Sequence, residues 1–568
     1  MRLHPQLFSY ALALAALSAC GTPAAAPAPT VAPSGPTATP FLRDSSHLFD
    51  AQPTAAQDSP TAAAQDGPTA QPQPTVAAVP AEPIVVDTTG KATPIDPRLL
   101  GTNLPAWLGP KRLADPRLQA RTKASGVSVI RLPGGSWSNH YDWLACEQQQ
   151  PECAWDFAAR PSDMLAFLKA TGAQGMWTVS ANSTAQEAAA LVAFANGKVG
   201  DKRKIGVDVR GRDWKTVGDW ATLRSEGGNP DPAEIKLWEF GNELYGGKQG
   251  KDCTSAGWED VWTCDGSEYV QGIGSGKSRH EGYLEVRAAM LAIDPTIKVG
   301  AVGNESLDNW SNWGSEVIKA AGSKLDFYIV HHYGYNQPPT DTSDVARQPL
   351  STWPLLAQSL GEQLGDTPMA VTEYNIVAFQ DGDSGQLMRR AVNLFYTVDT
   401  IGQLAESGVA IANHWDLMNG QADSGTDYGL LHADTLARQP AYYAFPLWSR
   451  MGQELLPVSA GEGQGQGGLH AYASRAEDGT IAVLVVNPTA QALAAPVQLE
   501  GDPSPRTASA DVVQASSLSA TEASFNGVAD PADDLSDAPS AALGQASGSL
   551  DMTFPPFSVT LVRLAPAS

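Results

Sequence analysis

From about residue 81 onward, short apolar runs alternate with stretches of helical spacing. The runs are Leu99–Leu104, Val127–Leu132, Gly175–Ser180, Ile235–Phe240, Ile297–Val302, Leu325–His331, Met369–Thr372 and Val409–His414. Strands covered on both faces read as unbroken apolar stretches, because neither face meets water. Between them lie segments patterned as helices, among them Ser162–Ala170, Gln186–Ala195, Tyr283–Ile293 and Gln386–Ser407. This alternation argues for a parallel sheet. Eight such units predict a (β/α)₈ TIM barrel with enlarged loops over residues 81–438. A doubly wound open sheet is the alternative, but no glycine-rich phosphate loop follows the first run.

The pattern changes after about Arg438. Leu469–Ala473, Ile481–Val486 and Phe557–Leu564 read as strands between turns, and no helix is clearly patterned. Residues 439–568 are therefore expected to form a C-terminal all-β sandwich. Within it, 507–548 reads as a long loop or a set of weak edge strands. Ile84–Val86 precedes the barrel, and residues 81–92 are a candidate strand of that sandwich.

The first 80 residues do not belong to this pattern. Arg2 and the apolar run Leu7–Ala19 make an export signal over residues 1–20, with a run too short to span a bilayer. It ends in Leu17-Ser18-Ala19-Cys20, which resembles a bacterial lipobox with Cys20 as the lipidated residue. A plain signal peptide cut nearby is the alternative. Residues 21–80 are Ala, Pro, Thr and Gln, a composition that cannot bury enough apolar surface to order itself. They read as a disordered tether between a membrane anchor and the folded part. The expected location is the cell surface or the outer side of a bacterial membrane.

Composition narrows the function classes. The net charge of −24, from 61 acidic and 37 basic residues, opposes nucleic acid and anionic lipid headgroups. Export permits disulfides, and the remaining cysteines form two local pairs, Cys146 with Cys153 and Cys253 with Cys264. Neither pair has a zinc-site spacing, and nothing resembles an EF-hand loop, so no metal or cofactor is expected. Asp416, Asp423 and Asp427 read as solvated loop carboxylates.

In a barrel the chemistry sits at the C-terminal strand ends. The fourth run ends Trp238-Glu239-Phe240-Gly241-Asn242-Glu243, and the seventh ends Val371-Thr372-Glu373-Tyr374-Asn375. These two ends face each other across the mouth. Two facing carboxylates suit glycosidic cleavage, one as proton donor and one as nucleophile. The bland alternative for Glu243 is a helix-start carboxylate. Glu239 reads as a structural residue pointing inward.

The segments W-E-F-G-N-E and V-T-E-Y-N resemble those of clan A glycoside hydrolases, which are retaining (β/α)₈ enzymes. Arg131-Leu132-Pro133-Gly134-Gly135-Ser136-Trp137, with Tyr141 and Trp143, is similar to the second-strand segment of family 51 α-L-arabinofuranosidases. So is Phe554-Pro555-Pro556-Phe557-Ser558-Val559-Thr560 to their last sandwich strand. The resemblance implies Glu243 as acid/base and Glu373 as nucleophile, acting on a carbohydrate without a cofactor. It implies Arg131 paired with Glu373, Asn242 on the sugar 2-hydroxyl, His331 and Tyr333 lining the site, and Trp415 flooring a subsite. Asn103 ends the first strand as a further substrate-binding candidate. His332 leaves the register of the H-x-Y pattern open, and Arg131 could instead be a structural ion-pair partner.

Two departures bear on the sugar. Ser136 stands where family 51 commonly has Asn, and the first strand lacks an acidic residue. Families 39, 44 and 79 share the framework, so a β-glycosidase or endoglycanase is a rival reading. A sugar-binding surface lipoprotein and a transglycosylase are the others. Trp143 and Trp155 flank the first cysteine loop, while Trp258 and Trp262 lie in the second. Each either presents a ring to sugar or packs its own loop.

Overall fold

The computed structural model describes residues 78–567 except 154, 248–256, 338, 340, 423–424 and 461–467. Cys20, the expected leader, most of the expected tether, Cys253 and Asp423 lie outside the described residues. Eight parallel strands close into a barrel: β1 (Gly101–Asn103), β2 (Val129–Leu132), β3 (Gln174–Val179), β4 (Leu237–Phe240), β5 (Lys298–Val302), β6 (Phe327–Tyr335), β7 (Met369–Val377) and β8 (Ile411–His414). The ring closes where Asn413 and His414 pair with Gly101 and Thr102. Each strand coincides with one of the eight apolar runs.

Alternation along the strands separates the two ends of the barrel interior. Val129, Met176, Leu237, Phe327, Ile329 and Ile411 belong to one apolar cluster. Two residues further along their strands stand Arg131, Thr178, Glu239 and His331, on the same face of the pleat. An apolar plug thus supports a polar floor at the C-terminal mouth. The outward residues, such as Trp177 and Trp238, join the larger core shared with the helices.

One helix in that ring is not apparent from the sequence. Thr342–Leu364 runs 23 residues with Pro349 and Pro354 inside it. The prolines argue against a helix locally, yet Val345, Ala346, Pro349, Trp353, Leu360 and Leu364 line one buried face. Past Arg438, where no helix was expected, Pro440–Tyr443 and Ala444–Trp448 are helical. All nine residues are buried, so there is no polar face to give a periodic signal.

The sandwich comprises two sheets. One carries, in spatial order, Ser524–Phe525, Pro505–Gln514, Ser558–Pro566, Ile481–Asn487, His470–Arg475, Glu454–Leu456 and Thr93–Pro94, with Ala541–Ser547 beside Pro505–Gln514. The other carries Val79–Pro80, Leu493–Glu500, Ile84–Asp87 and Val458–Ser459, with Ser549–Phe554 on Leu493–Glu500. Ile84–Asp87 therefore lies in the sandwich, ahead of the barrel in sequence. Tyr472 docks the sandwich onto the barrel: its hydroxyl donates to Asp399 Oδ1 at 3.0 Å. Gly402 makes room, since a Cβ there would stand 2.2 Å from the Tyr472 ring.

Candidate active site

Arg131 is the centre of the polar floor. Its guanidinium is fully buried and bonds Glu239, Glu373 Oε1 (2.8 Å), Asn103 Oδ1 (2.9 Å) and Asn242 Oδ1 (2.8 Å). Four acceptors fix a planar fork in one orientation, which suits Arg better than Lys. Thr178 donates to the same Glu239 oxygen, Oε1. Arg131 is thus both a structural ion-pair partner and the partner of Glu373.

Glu373 is aimed by an irregularity in β7. The register with β6 shifts between Val371 and Glu373, and bulges of this kind re-aim a side chain. Its Oε1 accepts from Arg131, and its Oε2 accepts from the Tyr333 hydroxyl at 2.7 Å. Glu243 reaches the mouth differently. After β4, Gly241 takes φ +81°, where a Cβ would strike Leu244 at 2.4 Å. Glu243 itself sits in the left-handed region at φ 41°, a conformation non-glycine residues adopt rarely and often at functional sites. Its carboxylate accepts from Tyr245 (3.0 Å) and Trp258 Nε1 (2.6 Å) and meets His331 Nδ1 at 2.8 Å.

Oxygens of Glu243 and Glu373 and a ring nitrogen of His331 lie within 4.8 Å of one another. Three such atoms could in principle hold a cation. The fixed charge of Arg131 and the donors of Tyr245, Trp258 and Tyr333 already engage these carboxylate oxygens. The arrangement suits proton and carbon chemistry better.

Burial raises the Glu373 carboxyl, and the charge of Glu243 adds to that rise against His331, Arg131 and Tyr333. Burial also works to raise Glu243, but the hydrogen bond and charge of His331, with Trp258 and Tyr245, carry it down. Burial works to lower His331, while Glu373 and Glu243 carry it up. The three groups therefore titrate as a unit. While His331 is charged, Glu243 is its anion. Once His331 is neutral, two buried carboxylates this close do not both ionise cheaply. Arg131 touches Glu373 and not Glu243, so the anion stays on Glu373 and the proton on Glu243. His331 can accept that proton's hydrogen bond at Nδ1 while Nε2 donates to Thr372 Oγ1, 3.0 Å away.

The structure also places the other residues singled out from sequence. Asn103 corrects its expected substrate-binding role. It is fully buried, and its amide donates to the carbonyls of Thr372 (3.0 Å) and His414 (3.1 Å) while its oxygen serves Arg131. It braces β1 against β7 and β8. Asn242 stands between Arg131 and Glu259 Oε1, to which it donates at 2.9 Å, so both its polar ends have protein partners. His331 and Tyr333 share the site face of β6. His332 points the other way and meets Glu305 at 2.5 Å, which resolves the H-x-Y register. Trp415 lies under the second-strand glycines: a Cβ on Gly135 would stand 2.4 Å from its ring.

Cys146–Cys153 is a disulfide. Cys264 is also disulfide-bonded, and Cys253, its expected partner, is outside the described residues. The four loop tryptophans divide. Trp143 packs inside against Phe194, Trp214 and Trp220. Trp262 donates to the Ala181 carbonyl and stacks on His280. Trp155 stacks on Trp137 at 3.8 Å, next to Trp107 and Trp415 on the β1 and β8 side. Trp258 touches Glu243. Asp416 and Asp427 are buried, not solvated, because the chain after β8 folds back over the mouth through Asp416–Tyr428 and Leu430–Asp416 backbone bonds.

Three residues are not placed at Glu243 by the sequence: Tyr245 and Glu259 go unmarked, and Trp258 is marked only as a loop tryptophan. Tyr245 and Trp258 bond Glu243, and Glu259 gathers Ser136 (2.6 Å), Asn139 (2.8 Å) and Asn242 around a carboxyl pushed up to about 7 by burial and the Glu243 charge. The available hint is Gly246-Gly247, since a Cβ on Gly246 would stand 2.5 Å from the Trp258 ring. Trp310, 43 % exposed, meets Trp258 edge-on at 5.1 Å and Tyr245 at 5.8 Å.

No family model matches the chain. It is 26 % identical over 227 residues to the intracellular exo-α-(1→5)-L-arabinofuranosidase of Streptomyces lividans, covering 37 % of this chain and 28 % of that one. With the probable α-L-arabinofuranosidase C of Aspergillus clavatus it shares 24 % over 258 residues, 42 % of each. The chain thus spans less than half the length of these curated relatives. The α-L-arabinofuranosidase of Thermotoga maritima in its arabinose complex superposes with a TM-score of 0.64 at 20 % identity, over 85 % of this chain and 99 % of that one. A Paenibacillus polymyxa xyloglucanase of glycoside hydrolase family 44 reaches 0.53 at 15 % identity, over 85 % and 99 %. The fold is therefore that of solved family 51 α-L-arabinofuranosidases: an eight-stranded parallel barrel with an appended β-sandwich.

Proposed function

We propose that this protein is a retaining glycoside hydrolase that removes arabinofuranosyl units from plant polysaccharide or its oligosaccharides. One observation carries the reading: Glu243 and Glu373 present oxygens within 4.8 Å across the mouth. Retaining enzymes need carboxyls about 5–5.5 Å apart, whereas inverting ones leave roughly 6.5–9.5 Å for a water. The arabinofuranosidase relatives support the sugar.

In the first step a Glu373 oxygen attacks the anomeric carbon, and the bond to the leaving oxygen breaks. The Glu243 proton passes to that oxygen. Arg131 and Tyr333 keep Glu373 anionic and oriented. In the second step water attacks the anomeric carbon, Glu243 takes its proton, and the Glu373 ester bond breaks with retained configuration. Trp310 and Trp258 stand on the Glu243 side, where the leaving sugar would rest. A sister-family β-glycosidase or endoglycanase is favoured by one feature: Ser136, where family 51 commonly has Asn, turns its hydroxyl to Glu259.

The test is a panel of aryl glycosides led by the α-L-arabinofuranoside, with wild type and Glu373→Ala. Arabinofuranoside cleavage lost in the variant is expected. Cleavage of another glycoside alone would discard the sugar, and no cleavage of any glycoside or polysaccharide would discard the hydrolase. The leader and tether support export and anchoring through Cys20. Cys20→Ala is expected to abolish labelling by fatty acid, and unchanged labelling would refute the anchor.

A further inference from the structure

Behind Asn139 lies a cavity of about 360 Å³, lined by Asn139, Asn182, Ser183, Glu187, Arg210 and Arg212 among others. That volume is in the range of small-ligand sites. Its wall is shared with the catalytic mouth. The Asn139 oxygen accepts from the backbone N–H of Asn242, the residue before Glu243, and the Asn139 amide donates to the Asn242 carbonyl at 2.8 Å.

The charges here are unevenly employed. Each acid has a structural task. Asp208 accepts from the backbone of Arg210 and Arg212, from Trp214 Nε1 (2.8 Å) and from Thr184 (3.3 Å). Asp142 caps the turn at Leu144 and Ala145. Glu187 caps the helix at Thr184, and burial with the Asp142 charge pushes it up to about 7. The two arginines lack such tasks. Most arginines of this acidic chain sit in ion pairs, but among the described residues Arg210 and Arg212 have no carboxylate within 4.0 Å. Arg210 donates once, to the Asn182 carbonyl at 2.7 Å. Among the described residues Arg212 makes no side-chain hydrogen bond, and it lies over the Trp214 ring at 4.3 Å.

Both are exposed, and the backbone that carries them is held in place. The loop carrying them is closed by Lys204–Thr216 and Val207–Asp213 bridges, and Asp208 ties down its tip. A guanidinium stacked on a ring keeps its donor fork free and oriented. We propose that this cavity binds a carboxylate-bearing sugar, a uronic acid, as a specificity site for acidic polysaccharide. Arg210 and Arg212 would take the carboxylate by charge-assisted hydrogen bonds. Asn182, Ser183 and His140 offer the amide, hydroxyl and imidazole groups that sugar hydroxyls need. A doubly charged phosphate fits worse, because Asp142 and Asp208 stand in the same walls.

This rests on the glycosidase reading for its purpose but not for its test. The Glu373→Ala variant binds without cutting, so affinity is read by calorimetry with a glucuronate-bearing arabinoxylan oligosaccharide and its carboxyl-reduced counterpart. The acidic form is expected to bind at least about tenfold tighter, less so at high salt. Arg210→Gln with Arg212→Gln should erase the preference while leaving aryl-glycoside turnover of the otherwise native enzyme unchanged. That turnover also shows the variant is folded. Equal affinity for the two oligosaccharides, or a preference surviving in the double variant, would overturn the proposal. Failure of the glycosidase reading would show instead as no turnover in wild type.

Discussion

Glu243 and Glu373 are a few ångströms apart, yet their surroundings differ in kind. Glu373 belongs to a nine-residue strand and is held by Arg131, whose charge is permanent and whose other contacts are Glu239, Asn103 and Asn242. Glu243 follows its strand on a left-handed residue and is held by Trp258, Tyr245 and His331. Two of those are neutral donors, and the third can gain or lose charge. Its side chain is also more open, 16 % exposed against 6 %. A nucleophile needs an anion fixed in place, while an acid/base group must cycle between two states. The contrast supports the proposed roles from environment rather than from position in a motif.

The strongest way to break this assignment is to remove each carboxyl. Glu373→Ala should lower turnover by roughly 10⁴-fold or more on every substrate, since no covalent intermediate can form. Glu243→Ala should depend on the leaving group. With a sugar leaving group the loss should be about 10²–10⁴-fold. With a dinitrophenolate it should be small in the first step, and added azide should restore turnover by yielding the glycosyl azide of retained configuration. Steady-state rates with both substrates check this, and formation of the retained-configuration azide by the Glu373 variant in place of the Glu243 variant would reverse the two roles.

How legible this was follows from the same contrast. The barrel and both carboxylates could be found because buried parallel strands are continuous apolar runs and the chemistry stands at their ends. Arg131, His331 and Tyr333 ride those strands too. Apart from His331, what surrounds Glu243 does not. Trp258 and Glu259 come from a loop whose path is fixed by tertiary contact, and other tryptophans of the two cysteine loops, Trp143 and Trp262, merely pack. Asn103 stood at a strand end like the others, but its register turns it to the neighbouring strands' carbonyls. Asp416 and Asp427 misled because acidic loop residues are usually solvated, and nothing local announces a chain that folds back.

A finer test concerns the proton. Trp258 Nε1 donates to Glu243 Oε2, and a hydrogen bond to a carboxylate lowers its pKa. Trp258→Phe removes the donor and keeps a ring. The ionised form of Glu243 then loses stabilisation, its pKa rises, and the proton is retained to higher pH. The alkaline limb of kcat/KM should therefore move up by roughly one pH unit. A limb that stays or moves to lower pH would mean that Glu243 does not carry the proton that limits the first step.

The smallest expected effect lies furthest out on the Glu243 side. Trp310 is exposed although it is a large aromatic, and it is the first of three consecutive residues with φ between 53° and 60°. A left-handed backbone at a non-glycine residue costs about 1–2 kcal/mol, so folding alone does not favour this placement. Its ring abuts Trp258 and Tyr245, both bonded to Glu243, the proposed proton donor. A leaving sugar on that side would rest its apolar face on Trp310. Trp310→Ala should then raise KM for arabino-oligosaccharides by about fivefold, the worth of one aromatic contact. It should leave kcat/KM for an arabinofuranosyl fluoride unchanged, because fluoride is too small to reach the ring. Equal losses on both substrates would place Trp310 in the support of Glu243 rather than in the binding of the leaving sugar.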